Sequence, residues 1–303
     1  EVLILENPKL CILLASYNGE KYISEQLDSI INQTYKNWEL IIRDDGSKDE
    51  TVTILNKYEK KDERIKVLRD DKGNLGFLKN FEELLYNAKE EFVLFSDQDD
   101  FWLKNKLEKF VEKIRDLDEK VLSKPLLVHC NSLVCDEKLE IIKEKFIDSK
   151  IAKKNNSNIY FFEYIVQGST SMVNKKMIRE SLPFLKSVTL HDRYFHLLSQ
   201  FLGTRIFIDE SLIKYRQHER NAIGASKSIL KKIMNKKYFY VEDRKLIEEI
   251  KKTYNKRLRK KDLNDIEKYL EVTDRNKNRL ERFWLSKYFQ MKLLKRLVLL
   301  IKG

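Results

Sequence analysis

The chain reads as an α/β protein, a mostly parallel sheet flanked by helices and followed by a basic helical extension. Three observations lead there. Short apolar runs alternate with stretches of helical periodicity over the first hundred residues, the pattern of a parallel sheet with helices on its faces. Three of the four leading apolar runs end in a polar cluster: Ser16-Tyr17-Asn18, Asp44-Asp45 and Asp97-Gln98-Asp99. Charge then divides the chain: residues 226–303 hold 24 Lys/Arg against 10 Asp/Glu, while residues 1–225 hold 36 against 38. The expected organisation is one domain over 8–225 and a basic extension over 226–303.

Residues 10–15 (Leu-Cys-Ile-Leu-Leu-Ala) do not alternate in polarity and read as a strand buried on both faces. Ser16-Tyr17-Asn18-Gly19 is a turn. Residues 20–32 place Tyr22, Ile23, Leu27, Ile30 and Ile31 at helical spacing. A second strand spans 40–42. Ser47 and Glu50 have the spacing of a capping box for a helix running to about Lys60. A third strand spans 65–68, Gly73-Asn74-Leu75-Gly76 forms a glycine loop, and 77–88 is a helix. The fourth strand, 92–95, runs into Ser96-Asp97-Gln98-Asp99-Asp100-Phe101-Trp102.

Ligands of open α/β sheets bind at the carboxyl ends of the strands, so the three polar clusters meet at one crevice. Asp97 and Asp99 are two apart and leave an extended backbone on the same side. Paired carboxylates suit Mg²⁺ or Mn²⁺, whose shells are completed by water and phosphate oxygens. Taken alone, Asp-x-Asp fits a polar turn capping a helix equally well; the neighbouring clusters favour the ligand site. Tyr17 offers a ring to a nucleotide base, Asp45 an acceptor for a base or ribose donor, and Asp97 with Asp99 a metal for a diphosphate. Neither Gly-x-Gly-x-x-Gly nor a Walker lysine motif follows the first strand, which disfavours the usual dinucleotide and nucleoside-triphosphate folds.

Composition narrows the class. The hydrophobic fraction is 42%, with eight glycines and three prolines, enough for a packed core and unlike a linker-rich chain. Cys11, Cys130 and Cys135 show no Cys-x-x-Cys spacing and read as reduced structural thiols of a cytoplasmic protein. No apolar run approaches the roughly 20 residues of a membrane-spanning helix, and no signal-peptide pattern is visible.

The matching residues Ala15-Ser16-Tyr17-Asn18-Gly19, Ser29-Ile30-Ile31-Asn32-Gln33-Thr34-Tyr35, Trp38-Glu39-Leu40-Ile41-Ile42-Arg43-Asp44-Asp45-Gly46-Ser47, Asn74-Leu75-Gly76 and Ser96-Asp97-Gln98-Asp99-Asp100-Phe101-Trp102 occur in order over about residues 9–110. In these the chain resembles the family-2 glycosyltransferases, and its Asp-Gln-Asp-Asp-x-Trp form is most similar to bacterial rhamnosyltransferase-like members. The resemblance implies a GT-A fold, a UDP- or dTDP-sugar donor, Mn²⁺ or Mg²⁺, and inversion at the anomeric carbon. It implies donor contacts from Ala15, Tyr17, Asn18, Asp45, Lys79, Asp97, Gln98 and Arg216, and metal ligation by Asp99 with Asp97. In the Tyr215-Arg216-Gln217-His218 segment, similar to the same branch, Arg216 and His218 are placed to reach the diphosphate or the metal, and a surface salt bridge fits Arg216 nearly as well.

Further along, residues 126–134 read as a strand in which His129 is a core histidine rather than a ligand. Residues 148–158 are polar and fit a mobile loop. Val166-Gln167-Gly168-Ser169-Thr170-Ser171-Met172 is a small-residue turn that either lets a substrate approach the backbone or is a plain turn. Asp192 starts a helix and fits its N-cap; the resemblance implies that it is the general base. Closing strands are expected at 204–208 and 212–215. The Gln-x-x-Arg-Trp of processive synthases is absent, which favours transfer of a single sugar, with rhamnose expected before galactose or glucose.

In the extension, residues 278–302 read as one basic helix with aromatic and leucine faces, suited either to an anionic membrane surface or to packing on the domain. A glycan or lipid-linked glycan acceptor in surface polysaccharide synthesis is expected, with no nucleic acid partner. The localisation expected is cytoplasmic, with peripheral contact at the inner face of the plasma membrane. The alternatives are a donor-binding module without turnover and a nucleotidyltransferase; the latter usually carries a glycine- and lysine/arginine-rich loop after the first strand, which this chain lacks.

Overall fold

The computed structural model describes residues 6–154, 158, 160–218, 241–291, 293, 296 and 297. The strands are β1 (Leu10–Ser16), β2 (Trp38–Asp44), β3 (Ile65–Leu68), β4 (Phe92–Ser96), β5 (Phe101–Trp102), β6 (Leu126–Cys135), β7 (Ile141–Lys143), β8 (Ser171–Asn174) and β9 (Thr204–Arg216). The helices used below are α1 (Ile23–Ile31), α2 (Thr51–Lys61), α3 (Phe77–Asn87), α4 (Lys106–Arg115), α5 (Glu119–Leu122), α6 (Ser149–Ala152), α7 (Lys175–Ser181), α8 (His191–Leu202), α9 (Val241–Tyr254), α10 (Lys260–Thr273) and α11 (Arg279–Leu285).

The sheet order is β3-β2-β1-β4-β8-β6-β9-β5, with β7 paired to β6. The first four strands are parallel, as the alternating pattern predicts. β8 then runs antiparallel to both β4 and β6, so the parallel half stops at β4. Beyond it, β9 is parallel to β6, and β5 is antiparallel to β9. The register pairs Ser16 with Asp44 and Leu14 with Ser96, which brings the carboxyl ends of β1, β2 and β4 to one edge.

Successive side chains of β1 enter different cores, which is why its sequence is apolar without alternation. Leu10, Ile12 and Leu14 pack with Ile23, Leu27 and Ile30 of α1 and with Leu107, Phe110 and Ile114 of α4. Cys11 and Leu13 belong to the opposite core, with Phe81, Leu84 and Leu85 of α3 and Phe195 and Leu198 of α8. That second core also takes Leu246, Ile247 and Ile250 of α9 and Ile266, Tyr269 and Val272 of α10. The helices of the basic extension therefore share a core with the sheet and its helices. The expected 225/226 boundary lies outside the described residues. All three cysteines are free and buried.

Several local expectations change. The capping box does not form: the Ser47 hydroxyl donates to Asp44 Oδ1 at 2.6 Å, and Asp49 Oδ1 accepts the Thr51 N–H at 3.1 Å instead. A nearby carboxylate outcompetes the helix end for a serine hydroxyl. Asp192 is not the N-cap of α8; Leu190 holds that position without a side-chain cap bond, and Asp192 lies in the first turn. The two closing strands are one long strand, β9, accommodated by register shifts against β6. Within the polar 148–158 segment, Asp148 caps α6 through the Lys150 N–H, and residues 155–157 lie outside the described residues. The single helix expected over 278–302 ends at Leu285, passes through a 3₁₀ turn at Ser286–Phe289, and breaks at Gln290 with φ 50°.

Candidate active site

The crevice at the carboxyl edge is built by loops stitched to one another. After β1, Tyr17 is 47% exposed, and its backbone is clasped by Gln98. The Tyr17 N–H donates to Gln98 Oε1 at 2.8 Å, and Gln98 Nε2 donates to the Tyr17 carbonyl at 3.0 Å. A Cβ on Gly19 would lie 2.3 Å from that Oε1, so the clasp requires glycine there. The Asn18 N–H donates to Ser47 Oγ, and Asn18 Oδ1 accepts from the Lys48 N–H, both at 2.8 Å, so Asn18 joins the loops after β1 and β2. Ala15, partly buried, is the β1 residue just before this turn.

Asp45 is buried and fully engaged on one oxygen. Its Oδ1 accepts from Arg43 Nη1 at 2.7 Å and from the Leu75 N–H at 2.8 Å; Oδ2 accepts from the Gly76 N–H at 2.8 Å. Arg43, also buried, reaches Asp70 Oδ2 at 2.8 Å and the Gly73 carbonyl at 3.1 Å. The carboxylate thus shapes the glycine loop, and Oδ2 keeps capacity for one more donor. Beside it is a cavity of about 230 Å³ lined by Arg43, Asp44, Gly46, Leu68, Arg69, Asp70 and Gly73. That is below the roughly 300–1,000 Å³ of pockets enclosing a whole drug-sized ligand. Lys79, on α3, is ion-paired to Glu82 and more than half exposed.

The Asp97–Asp100 turn gathers negative charge. Burial pushes the Asp97 carboxyl well up, and Asp100, Asp99 and Asp192 push it further. Burial and then Asp99 push Asp100 up to about 7, and Asp100 Oδ2 has no hydrogen-bond partner among the described residues. Asp99 Oδ2 meets His218 Nε2 at 2.8 Å, and His218 packs on the Tyr22 ring. Arg216 is almost fully buried: Nε donates to the Asp99 carbonyl at 2.9 Å, Nη1 to the Glu137 carbonyl at 2.5 Å, and Nη2 to Glu25 Oε2 at 2.7 Å. Its guanidinium anchors the Asp99 turn to the end of β9. Among the described residues no three His, Cys, Asp or Glu side chains are arranged as a ready-made metal cluster. Crowded carboxyls with one unpartnered buried oxygen fit a divalent cation whose remaining ligands come from water and a diphosphate.

Asp192, 6% exposed, lies close enough to Asp97 to push that carboxyl up. Its Oδ2 accepts from the Tyr164 hydroxyl and from the Gly168 N–H at 3.0 Å; Oδ1 accepts from the Arg193 N–H at 2.6 Å. Burial pushes this carboxyl up to about 6, against the lowering effect of those hydrogen bonds. Arg193 in turn donates to Asp243 of α9 at 2.9 Å and to the carbonyls of Tyr160 and Phe161. Next to it, His191 sits among Phe77, Phe81, Phe95 and Phe195, and burial holds it down to about 3, hence neutral. Gly168 is tight against this ring; a Cβ there would lie 2.8 Å from His191 Nε2. Buried Lys106, brought down to about 7 by burial, sits 3.3 Å from the Trp102 ring centroid and donates to the Ser169 carbonyl at 2.7 Å. It links the Asp97–Trp102 segment to the turn beneath Asp192.

The site therefore draws Tyr17, Asp45, Asp97 with Asp99, Asp192 and His218 from five separate chain segments. Tyr164, Arg43 and Lys106 adjoin this set and were not singled out by the sequence. Arg43 sits inside a quoted motif, whereas Tyr164 and Lys106 carry no pattern of their own.

A mixed sheet with acidic residues gathered at the carboxyl edge of its parallel half defines an α/β protein of the kind whose ligands bind at strand ends. Residues 11–181 match the family described as glycosyl transferase family 2, and the chain belongs to that family. It is 28% identical over 225 residues to the dTDP-rhamnosyl transferase RfbG of Shigella flexneri, covering 70% of this chain and 74% of that one. It is 28% identical over 218 residues to an uncharacterised glycosyltransferase of Rickettsia typhi, covering 70% of this chain and 65%, just under two thirds, of the relative. Among solved structures, TarS residues 1–349 of S. aureus in complex with UDP-GlcNAc superposes with a TM-score of 0.58 at 17% identity, covering 96% of this chain and 89% of that one. A Pyrobaculum calidifontis mannosyltransferase in complex with GDP-Man and Mn²⁺ gives 0.59 at 15% identity, covering 98% and 79%. The fold is the GT-A fold.

Proposed function

We propose that the protein is an inverting, metal-dependent glycosyltransferase that moves one sugar, rhamnose before galactose or glucose, from a UDP- or dTDP-sugar to a hydroxyl of a glycan or lipid-linked glycan in surface polysaccharide synthesis. The observation that carries the reading is the buried Asp192 carboxylate. It is held by three donors, close enough to Asp97 to push that carboxyl up. A carboxyl raised to about 6 is ionised at neutral pH yet basic enough to take a proton, as a general base requires.

In this mechanism the nucleotide base lies against the Tyr17 ring and donates to Asp45, with its plane in the cavity beside Arg43 and Asp70. Asn18 and Gln98 hold the Tyr17 loop in shape, and Ala15 lies at its root. Lys79, itself more than half exposed, reaches toward the donor by leaving its ion pair with the buried Glu82, which keeps the Phe184 N–H as a donor. Asp99, with Asp97 and His218, would hold Mn²⁺ or Mg²⁺, which supplies charge neutralisation for the departing diphosphate. Arg216 keeps the Asp99 turn in place. Asp192 accepts the proton of the acceptor hydroxyl as its oxygen bonds to the anomeric carbon from the face opposite the diphosphate. The bond from that carbon to the diphosphate breaks with its electron pair leaving on phosphate oxygen, so configuration inverts and no covalent sugar–enzyme species forms. The site of action is the cytoplasmic side of the plasma membrane.

The test is donor binding and turnover across a panel of UDP-, dTDP- and GDP-sugars with Mn²⁺, with Mg²⁺ and with chelator, on the parent chain and on Asp192→Ala. The expected result is metal-dependent turnover of one donor, lowered about 10²–10⁴-fold in Asp192→Ala with donor binding retained. Normal turnover in that variant overturns the base assignment. Donor binding with no turnover across a panel of glycan acceptors points instead to a binding module.

A further inference from the structure

The C-terminal helices have two different faces. The inner one is packed: Phe289 meets Phe161 and Phe162, Arg282 donates Nε to the Val272 carbonyl at 2.8 Å, and Ser286 and Met291 are buried. The outer one carries exposed apolar side chains. Leu280 (62% exposed) and Trp284 (58%) lie four residues apart on α11; Leu293 (61%) and Leu297 (38%) are likewise four apart just beyond the break at Gln290. Arg296 joins the two segments, donating to Ser286 Oγ at 3.1 Å and to the Phe283 carbonyl at 3.2 Å, with its guanidinium over the Phe283 ring. The second pair is thereby held beside the first.

Cations surround this apolar face. Lys287 Nζ lies 3.7 Å from the Trp284 ring centroid, and Arg279 is exposed at the start of α11. Between residues 279 and 302 the sequence has seven Lys/Arg and one acidic residue, Glu281. A second copy of the chain would meet this face with the same positive charge, and like-charge juxtaposition disfavours that contact. An anionic bilayer offers what the face lacks on both counts: hydrocarbon and interface for leucine and tryptophan, and phosphate for lysine and arginine.

We propose that Leu280, Trp284, Lys287, Leu293 and Leu297 form the surface by which this protein docks on an anionic phospholipid membrane. The packed inner face joins the same helices to the segment that carries Tyr164, so the docked element is a rigid part of the catalytic body. This docking stands apart from the transfer chemistry and does not need it.

The experiment is co-sedimentation of the full chain with vesicles of phosphatidylcholine alone and of phosphatidylcholine mixed with phosphatidylglycerol, at low and at high salt. The parent chain is expected to bind the mixed vesicles and to lose most of that binding at high salt or on neutral vesicles. Leu280→Ser/Trp284→Ser is expected to weaken binding to the mixed vesicles about 10-fold or more, since two large apolar side chains leave the interface. The melting temperature of this exposed double variant and its hydrolysis of a nucleotide-sugar donor should match the parent. No vesicle binding, equal binding to neutral vesicles, or an unchanged double variant each overturns the proposal. So does a parent dimer in analytical ultracentrifugation that the double substitution dissociates, because the face would then belong to a second copy. Loss of donor turnover in the parent itself leaves docking untouched and counts only against the transferase reading.

Discussion

Tyr164→Phe removes one hydroxyl from the edge of the crevice and isolates its effect on the base. The hydroxyl donates to Asp192 Oδ2, and that bond is the largest influence opposing burial on the Asp192 carboxyl. A hydrogen bond to a charged group contributes about 1.5–3 kcal/mol. Tyr164 is 38% exposed, so water replaces part of the loss and the lower end of that range applies. One pKa unit corresponds to about 1.4 kcal/mol, which moves Asp192 up by about one unit, from about 6 to roughly 7. The working form is the carboxylate, so raising its pKa lowers activity on the acid side. At pH 6 the ionised fraction drops from about one half to about one tenth, a roughly five-fold loss of kcat/KM, while above about pH 8.5 the variant approaches the parent. The remaining groups that face Asp192 either keep their bonds, as the Gly168 and Arg193 N–H groups do, or act through their charge, as Asp97 does. The assay is the pH profile of kcat/KM at saturating metal, with thermal melting as a control for folding. An acidic limb that stays in place, with melting unchanged, refutes the argument: either Tyr164 does not hold the titrating carboxyl or Asp192 is not that group.

Other substitutions separate donor binding from packing. Gln98→Ala releases both bonds to the Tyr17 backbone, and the donor KM should rise by about 5- to 30-fold while kcat changes little, consistent with about 1–2 kcal/mol lost in positioning; isothermal titration with the free nucleotide reads the same change directly. Gly168→Ala puts a Cβ 2.8 Å from a histidine enclosed by four phenylalanines, which cannot give way easily. About 1–3 kcal/mol of stability should be lost in chemical denaturation, together with most of the turnover, because Asp192 is adjacent. Deleting residues 241–303 should yield insoluble protein, since it strips Leu246, Ile247, Ile250 and Tyr269 from the core they share with Phe161 and Phe195; a soluble, folded remnant by circular dichroism would contradict that packing.

Much of the sheet was legible from residue order, because strand burial on both faces and helical periodicity are local properties. Residues 10–15, 65–68 and 92–95 were each placed within a residue of β1, β3 and β4. The polar clusters that end β1, β2 and β4 followed from the rule that parallel strands share an edge. Asp-x-Asp and the distant Asp192 were visible as residues, but their proximity was visible only through resemblance. The capping box failed for a reason local pattern cannot weigh, since Asp44 competes for Ser47 from the same turn. The sequence also presented residues 278–302 as one amphipathic helix, because leucines, aromatics and cations keep their spacing through a break that occurs at Gln290.

The order of elements, the two-sided core strands and the charge division were thus properties of the chain itself, since each depends on neighbours a few residues apart. Tertiary structure alone decided how the carboxyls behave. Burial raises the Asp192 carboxyl to about 6 against the lowering hydrogen bonds from Tyr164, Gly168 and Arg193, and burial, with Asp100, Asp99 and Asp192 nearby, raises Asp97. Tertiary structure also decided which tail residues face inward. Phe289 is buried against Phe161 and Phe162, while Trp284, five residues earlier, stands in solvent. Burial and charge proximity arise between residues distant in the chain, and no local pattern encodes them.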